Sequence, residues 1–277
     1  RHRALVRYRV GSLPPRRPGQ ELPLSSPLPL PDARRDVLMS LIDDATLVDP
    51  NATSVEAAVA GYRVARAGPA AHVLGSFLCP ASRLIELSGV LVTTMASGET
   101  PWPITVVLEG DLGAAVTAEH AFNATMDPAA KVVRAASPVA DDPAVAAAMD
   151  MPVSVLVDIA SGPAREPTVA AGILLDCERA GLSVVPWGLD GVVRGADRPG
   201  VLNLLGAAAL VADGGSETTI AAVLEETDPA TFHLGRAGLT WRHHTVGAAG
   251  LRRVRAAVMP AVATSRPRAV LAEAAGL

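Results

Sequence analysis

Asp158 closes an apolar run that begins at Pro152, and Asp190 stands three residues past Trp187, just beyond a second run, Leu182–Pro186. A carboxyl group at the end of an apolar segment suits general acid or base work. Trp187 offers a flat face on which a ligand could stack, or equally a cap for the core. Arg134 and Arg194 are the cations that would clamp an anion. Glu109 and Asp111, with Ser82 and Cys79, follow other apolar runs and would complete a polar binding site; Arg83, Ser137 and Arg198 occupy the same kind of position. The chemistry these residues could share is proton transfer on a small anionic molecule.

Each has a plainer use. Asp158 would also cap the turn that follows it. Cys79 has no histidine fixed near it by sequence, and cysteine commonly serves as a small buried apolar residue. His243 and His244 are adjacent, so on a strand they point to opposite faces and make a poor metal pair. Asp43-Asp44 follows an expected helix and reads as a turn cap. Asp213-Gly214-Gly215-Ser216 lacks the lysine of a phosphate loop. Lys131 is the single lysine, so Schiff-base chemistry would have to use it. No metal or cofactor is expected.

The candidates become neighbours only if the runs before them are adjacent parallel strands, because such folds bind ligands at the carboxyl ends of their strands. The sequence supports this. Runs at 71–77, 103–108, 131–135, 152–159 and 182–186 read as strands, separated by helices ending near Leu87, Met126, Met149 and Ala180. They lack clean alternation, as strands covered on both faces do. Strand–helix alternation implies a parallel sheet with right-handed crossovers. Earlier helices are expected from Asp32 to about Ile42, and from a capping box at Thr53–Glu56 to about Arg66. Later come helices at 199–211, 217–225, 250–258 and 267–275, a hairpin across Thr231–His243, and a weak strand near Val262. The expected fold is α/β with parallel strand–helix repeats, an incomplete or distorted (β/α) barrel over residues 32–277; an open doubly wound sheet is the alternative. Residues 1–31, with a possible strand at Leu5–Val10 and seven prolines from Pro14 to Pro31, read as an extended Pro/Arg-rich arm.

Composition narrows the class. Hydrophobic residues make up 49% and aromatics 3%, so a large core must be built from Ala, Val and Leu. Two distant cysteines, Cys79 and Cys177, form neither a disulfide framework nor a zinc site, and a cytoplasmic location is expected. No apolar run approaches the roughly 18 residues that span a bilayer. Net charge is −4, but it is patterned: residues 1–35 carry eight arginines against Glu21 and Asp32, the middle is strongly acidic, and Pro229–Ala272 carries seven arginines and no acid. Basic ends packed on an acidic middle would relieve repulsion within each block. Without aromatic interleaving, nucleic acid is a disfavoured partner.

Four stretches together carry a resemblance: Asp43-Asp44-Ala45 through the helix at 53–62; Phe77-Leu78-Cys79-Pro80-Ala81-Ser82-Arg83-Leu84; Gly200-Val201-Leu202-Asn203-Leu204-Leu205; and Glu225 to Phe232 with Gly238-Leu239-Thr240-Trp241. They are similar to an uncharacterised bacterial protein family of (β/α)-barrel type with no assigned activity. The resemblance implies a barrel over residues 32–277. In that family a strand-end stretch carries a Lys, a Thr, a Gly-Leu and paired His ahead of the Asn-containing helix, an arrangement like an aldolase-type site. Here the stretch is Val184-Val185-Pro186-Trp187-Gly188-Leu189-Asp190-Gly191, without the Lys or either His. The segment between the fourth and fifth strands is also shorter by about one strand–helix unit.

The resulting expectation is a barrel protein that acts on or binds a small anionic metabolite by metal-independent acid–base chemistry of the isomerase, lyase or cyclase type. Asp158 and Asp190 would carry protons, Trp187 would be the platform, and Arg134 or Arg194 the clamp. The alternative is a pseudoenzyme or accessory subunit that meets a protein partner through the 1–31 arm.

Overall fold

Leu41 and Ile42 continue the apolar stripe of a helix from Asp32, yet the helix stops earlier. α1 spans Ala33–Leu38, capped by the Asp32 carboxylate on the Arg35 N–H. Ser40 takes a left-handed φ of 51°, which turns the chain into a strand, β1 (Ile42–Asp44), buried throughout. Two consecutive buried aliphatics satisfy either element locally; the strands on both sides decide between them. Asp43 and Asp44 are therefore strand residues: Asp43 turns into the barrel, whereas Asp44 keeps the turn-capping use read from the sequence, accepting the Thr46 N–H at 2.9 Å just past β1.

The structure, a computed structural model, describes residues 32–49, 53–96, 98–138, 150–195 and 197–277. The 1–31 arm and the short helix expected at 143–149 lie outside the described residues. Seven parallel strands close into a barrel: β1, β2 (Leu74–Pro80), β3 (Trp102–Val107), β4 (Ala130–Ser137), β5 (Val153–Asp158), β6 (Ser183–Trp187) and β10 (Val262–Thr264). Closure comes from β1, whose Ile42 is opposite Val262 on one side and Leu74 on the other. The fold is thus an α/β barrel, and the open-sheet alternative falls because both edges meet.

Helices α2 (Val55–Arg66), α3 (Leu84–Thr94), α4 (Leu112–Met126), α5 (Pro167–Arg179), α6 (Val201–Ala212), α7 (Glu217–Glu225), α8 (Ala248–Arg253) and α9 (Pro267–Ala274) complete the described helices. Ser54, not Thr53, caps α2, accepting from the Ala57 N–H. A π-helical turn, Val254–Val258, follows α8. The expected hairpin is a three-stranded antiparallel sheet, β7 (Phe232–Leu234), β8 (Gly238–Trp241) and β9 (His244–Gly247). No helix among the described residues is long and apolar enough to cross a membrane.

Buried Asn203 explains the polar residue in the apolar helix α6. Its side chain accepts from the N–H groups of Arg194 (2.7 Å) and Gly200 (3.0 Å) and donates to the carbonyls of Val223 and Glu226 (both 2.8 Å). One side chain thereby ties the loop after β6 to the start of α6 and the end of α7. Four arginines of the C-terminal block pack on the acidic middle as charge balance predicts, Arg242 on Glu226, Arg252 on Asp36, Arg253 on Asp213 and Arg266 on Asp190, while Arg236 pairs with Asp32 of the N-terminal block.

Candidate functional site

Side chains two apart on a strand share a face, and here that rule divides the barrel interior into two layers. Toward the carboxyl ends, Leu78, Val107, Ala136, Leu156, Val185 and Ala263 form an apolar layer, with Trp187 packed against it. Two residues earlier stand Ser76, Thr105, Arg134, Ser154 and Ser183 on the same strands, and Ala261 just ahead of β10. With Asp43 from β1, the polar members of that set line the amino-terminal half of the barrel.

The polar layer is organised around an ion pair. Arg134 Nη2 donates to Asp43 Oδ2, to Ser76 Oγ at 3.2 Å and to Thr105 Oγ1 at 3.1 Å. Asp43 Oδ1 accepts the Ser76 N–H at 2.7 Å. Asp43 is 1% exposed. Burial raises its pKa, and the Arg134 charge is the chief influence pulling it back. Gly75 is required beside this pair, since any Cβ there would collide with Asp43 Oδ1. Across the barrel the hydroxyls of Ser154 and Ser183 bond each other at 2.8 Å.

These groups face a cavity of ≈ 420 Å³, open at the amino-terminal end and roofed by Ser40, Arg255 and Pro260. That volume lies within the range of small-molecule sites. Arg255 is fixed by the carbonyls of Val37 (2.6 Å), Ser40 (3.1 Å) and Met39 (3.2 Å). Burial lowers its pKa to about 10, which leaves it charged at neutral pH. Among the described residues, the Nε donors of Arg134 and Arg255 are buried without a hydrogen-bond partner. Two guanidiniums and one carboxylate line the chamber, so it is electropositive.

The residues singled out from sequence lie elsewhere, with one exception. Arg134, expected at a strand end, is in the middle of β4, because that strand runs to Ser137 rather than Ala135; it joins the chamber. Asp158 and Trp187 are register partners at the carboxyl rim, so the fold does bring them together. Asp158 accepts from the Ala160 N–H (2.8 Å), the Ser161 N–H (3.0 Å) and the Ser161 hydroxyl (2.5 Å), which is the turn-capping use. Asp190 pairs with Arg198 at 2.8 Å and Arg266 at 3.8 Å. Arg194 donates to the Leu224 carbonyl at 3.2 Å, a tie to α7 rather than a free anion clamp.

On the other side of the rim, Ser82 donates to Glu109 at 3.2 Å, and Asp111 caps α4 through the Ala114 N–H at 2.7 Å. Cys79 is buried with the helix-facing core; its thiol faces the Pro80 carbonyl at 3.4 Å, and burial pushes its pKa up. An activated nucleophile needs the opposite shift.

Sequence reasoning missed Asp43, Ser76, Thr105, Ser154, Ser183 and Arg255. A signal was available for most of them: small polar residues recur two positions before an apolar one, as in Ser76/Leu78, Thr105/Val107, Ser154/Leu156 and Ser183/Val185. No protein-family profile, curated protein or solved structure matches this chain.

Proposed function

We propose that this protein binds a small anionic metabolite in the chamber at the amino-terminal end of its barrel. The observation that carries the reading is an electropositive, solvent-connected cavity whose two buried guanidiniums each keep a donor unused. Buried N–H groups without partners are costly, and a carboxylate or phosphate oxygen is the acceptor that suits guanidinium geometry. Ser154, Ser183 and Ser40 supply neutral donors for the rest of such a ligand. Turnover would be acid–base chemistry with Asp43 as proton carrier, because burial favours its neutral form and an incoming anion would compete for Arg134. The reaction class remains isomerisation, lyase cleavage or cyclisation.

Calorimetric titration with inorganic phosphate, malonate and a phosphate monoester tests the binding. Saturable binding is expected for at least one probe, weakened ~10-fold or more, about 1.4 kcal/mol, in Ser154→Ala/Ser183→Ala. Failure of every probe to saturate, or unchanged affinity in that double variant, overturns the reading. Solvent deuterium exchange into the bound carboxylate, followed by NMR, tests the chemistry; Asp43→Asn should stop it.

A second reading, a pseudoenzyme or accessory subunit, is favoured by one observation. At the rim, where the resembled family carries Lys and paired His, Asp158 is engaged in its own turn and Asp190 in arginine pairs. Retained anion binding with no deuterium exchange would select it.

A further inference from the structure

A second cavity, a groove of ≈ 300 Å³, runs between α2 and α9 over the carboxyl end of β1. Ala57, Ala58 and Gly61 of α2 form one wall, and Pro267 and Ala269 of α9 the other. Asp44, the outward-facing neighbour of Asp43, lies at its floor and is 1% exposed. Its Oδ1 accepts the Thr46 N–H at 2.9 Å and the Thr46 hydroxyl at 2.5 Å. Among the described residues, Oδ2 has no donor and no cation pairs with this carboxylate. A buried carboxylate without a cation is held at a cost that a ligand's positive charge would relieve.

The exposed end of the groove carries the opposite sign, from Arg266 and Arg268. Of the seven arginines between Pro229 and Ala272, five pair with carboxylates and Arg255 is held by carbonyls. Arg268 has neither kind of partner among the described residues. The groove therefore presents a buried anion, a stretch of small apolar wall, and an unengaged cation.

We infer that this groove binds a linear aminocarboxylate. The ligand ammonium meets Asp44 Oδ2, the methylene chain lies along Ala57, Ala58 and Gly61, and the carboxylate meets Arg268. The inward and outward directions of Asp43 and Asp44 separate this groove from the chamber, so the two proposals stand or fall independently.

Calorimetric titration with γ-aminobutyrate, δ-aminovalerate and ε-aminocaproate tests the inference, with hexylamine and hexanoate as controls that carry one charge each. At least one aminocarboxylate should bind ~10-fold more tightly than either control, the increment of one added charge contact. Asp44→Asn should weaken it by a similar factor. Arg268→Ala should weaken the aminocarboxylate while leaving hexylamine unchanged. Gly61→Leu is the filling variant: a Cβ at Gly61 meets nothing within 4 Å, so the fold should persist, checked by its melting curve, while binding is lost. Binding of hexanoate as tight as that of the aminocarboxylates, no saturation by any of them, or unchanged affinity in Gly61→Leu overturns the inference.

Discussion

Asp43 and Arg134, ninety-one residues apart in the chain, meet inside the barrel as a buried ion pair spanning β1 and β4. Arg134 should be far harder to remove alone than together with its partner. Arg134→Met leaves Asp43 buried and uncompensated, a loss of about 3–5 kcal/mol in denaturant unfolding. The double variant Asp43→Asn/Arg134→Met should recover most of that loss. Equal losses in the single and double variants would show that the pair is not coupled.

Asp44 should make stability fall as pH rises. Burial, with a lesser push from Asp43, lifts its pKa from 3.8 to about 6. The helices packed around it carry Glu56, Tyr62, Arg63 and Arg66 on α2, and Arg268 and Glu273 on α9 with Arg266 at its start. A raised folded-state pKa means that the folded protein keeps a proton the unfolded chain has released. The contribution is therefore complete below 3.8 and is lost as pH climbs through about 6. Its size is on the order of 3 kcal/mol. The unfolding free energy of the wild type relative to Asp44→Asn, measured across that window, should decline with pH; a flat difference would contradict the burial argument.

Asn203→Ala should be among the most damaging substitutions in α6. It leaves two N–H groups and two carbonyls without the partner that Asn203 provides. A loss of roughly 3 kcal/mol or more is expected from stranded buried groups. Hydrogen exchange should quicken at Arg194 and Gly200, the amides that Asn203 accepts from.

Asp158→Ala should behave as loss of a turn cap, costing about 1 kcal/mol, and should leave chamber binding unchanged. A fall in anion affinity in this variant would return the site to the carboxyl rim.

Cys79 should be silent in the native state. Its side chain is fully buried and its thiol pKa is raised by desolvation. Alkylation by a thiol reagent should proceed only at the rate of unfolding, and rapid labelling of the folded protein would refute the placement.

The sequence carried most of the fold and less of the site. Strands at 103–108 and 182–186 were legible because a run of β-branched residues between helices has few other uses. β1 was not, since Leu41 and Ile42 fit a helix stripe as well as a strand. The same ambiguity hid the chamber. Asp43 reads as a turn cap until β1 exists, and Arg134 reads as a strand end until β4 is extended to Ser137.

By itself the sequence determined that strands and helices alternate, that both faces of the sheet are covered, and that the basic C-terminal block answers an acidic middle. These follow from local periodicity and charge, which need no partner to be read. Tertiary structure alone decided that the sheet closes, that polar side chains gather in its amino-terminal half, and that Arg134 faces Asp43 instead of the rim. Which way a side chain points on a strand depends on register, and register is fixed by strands distant in the chain.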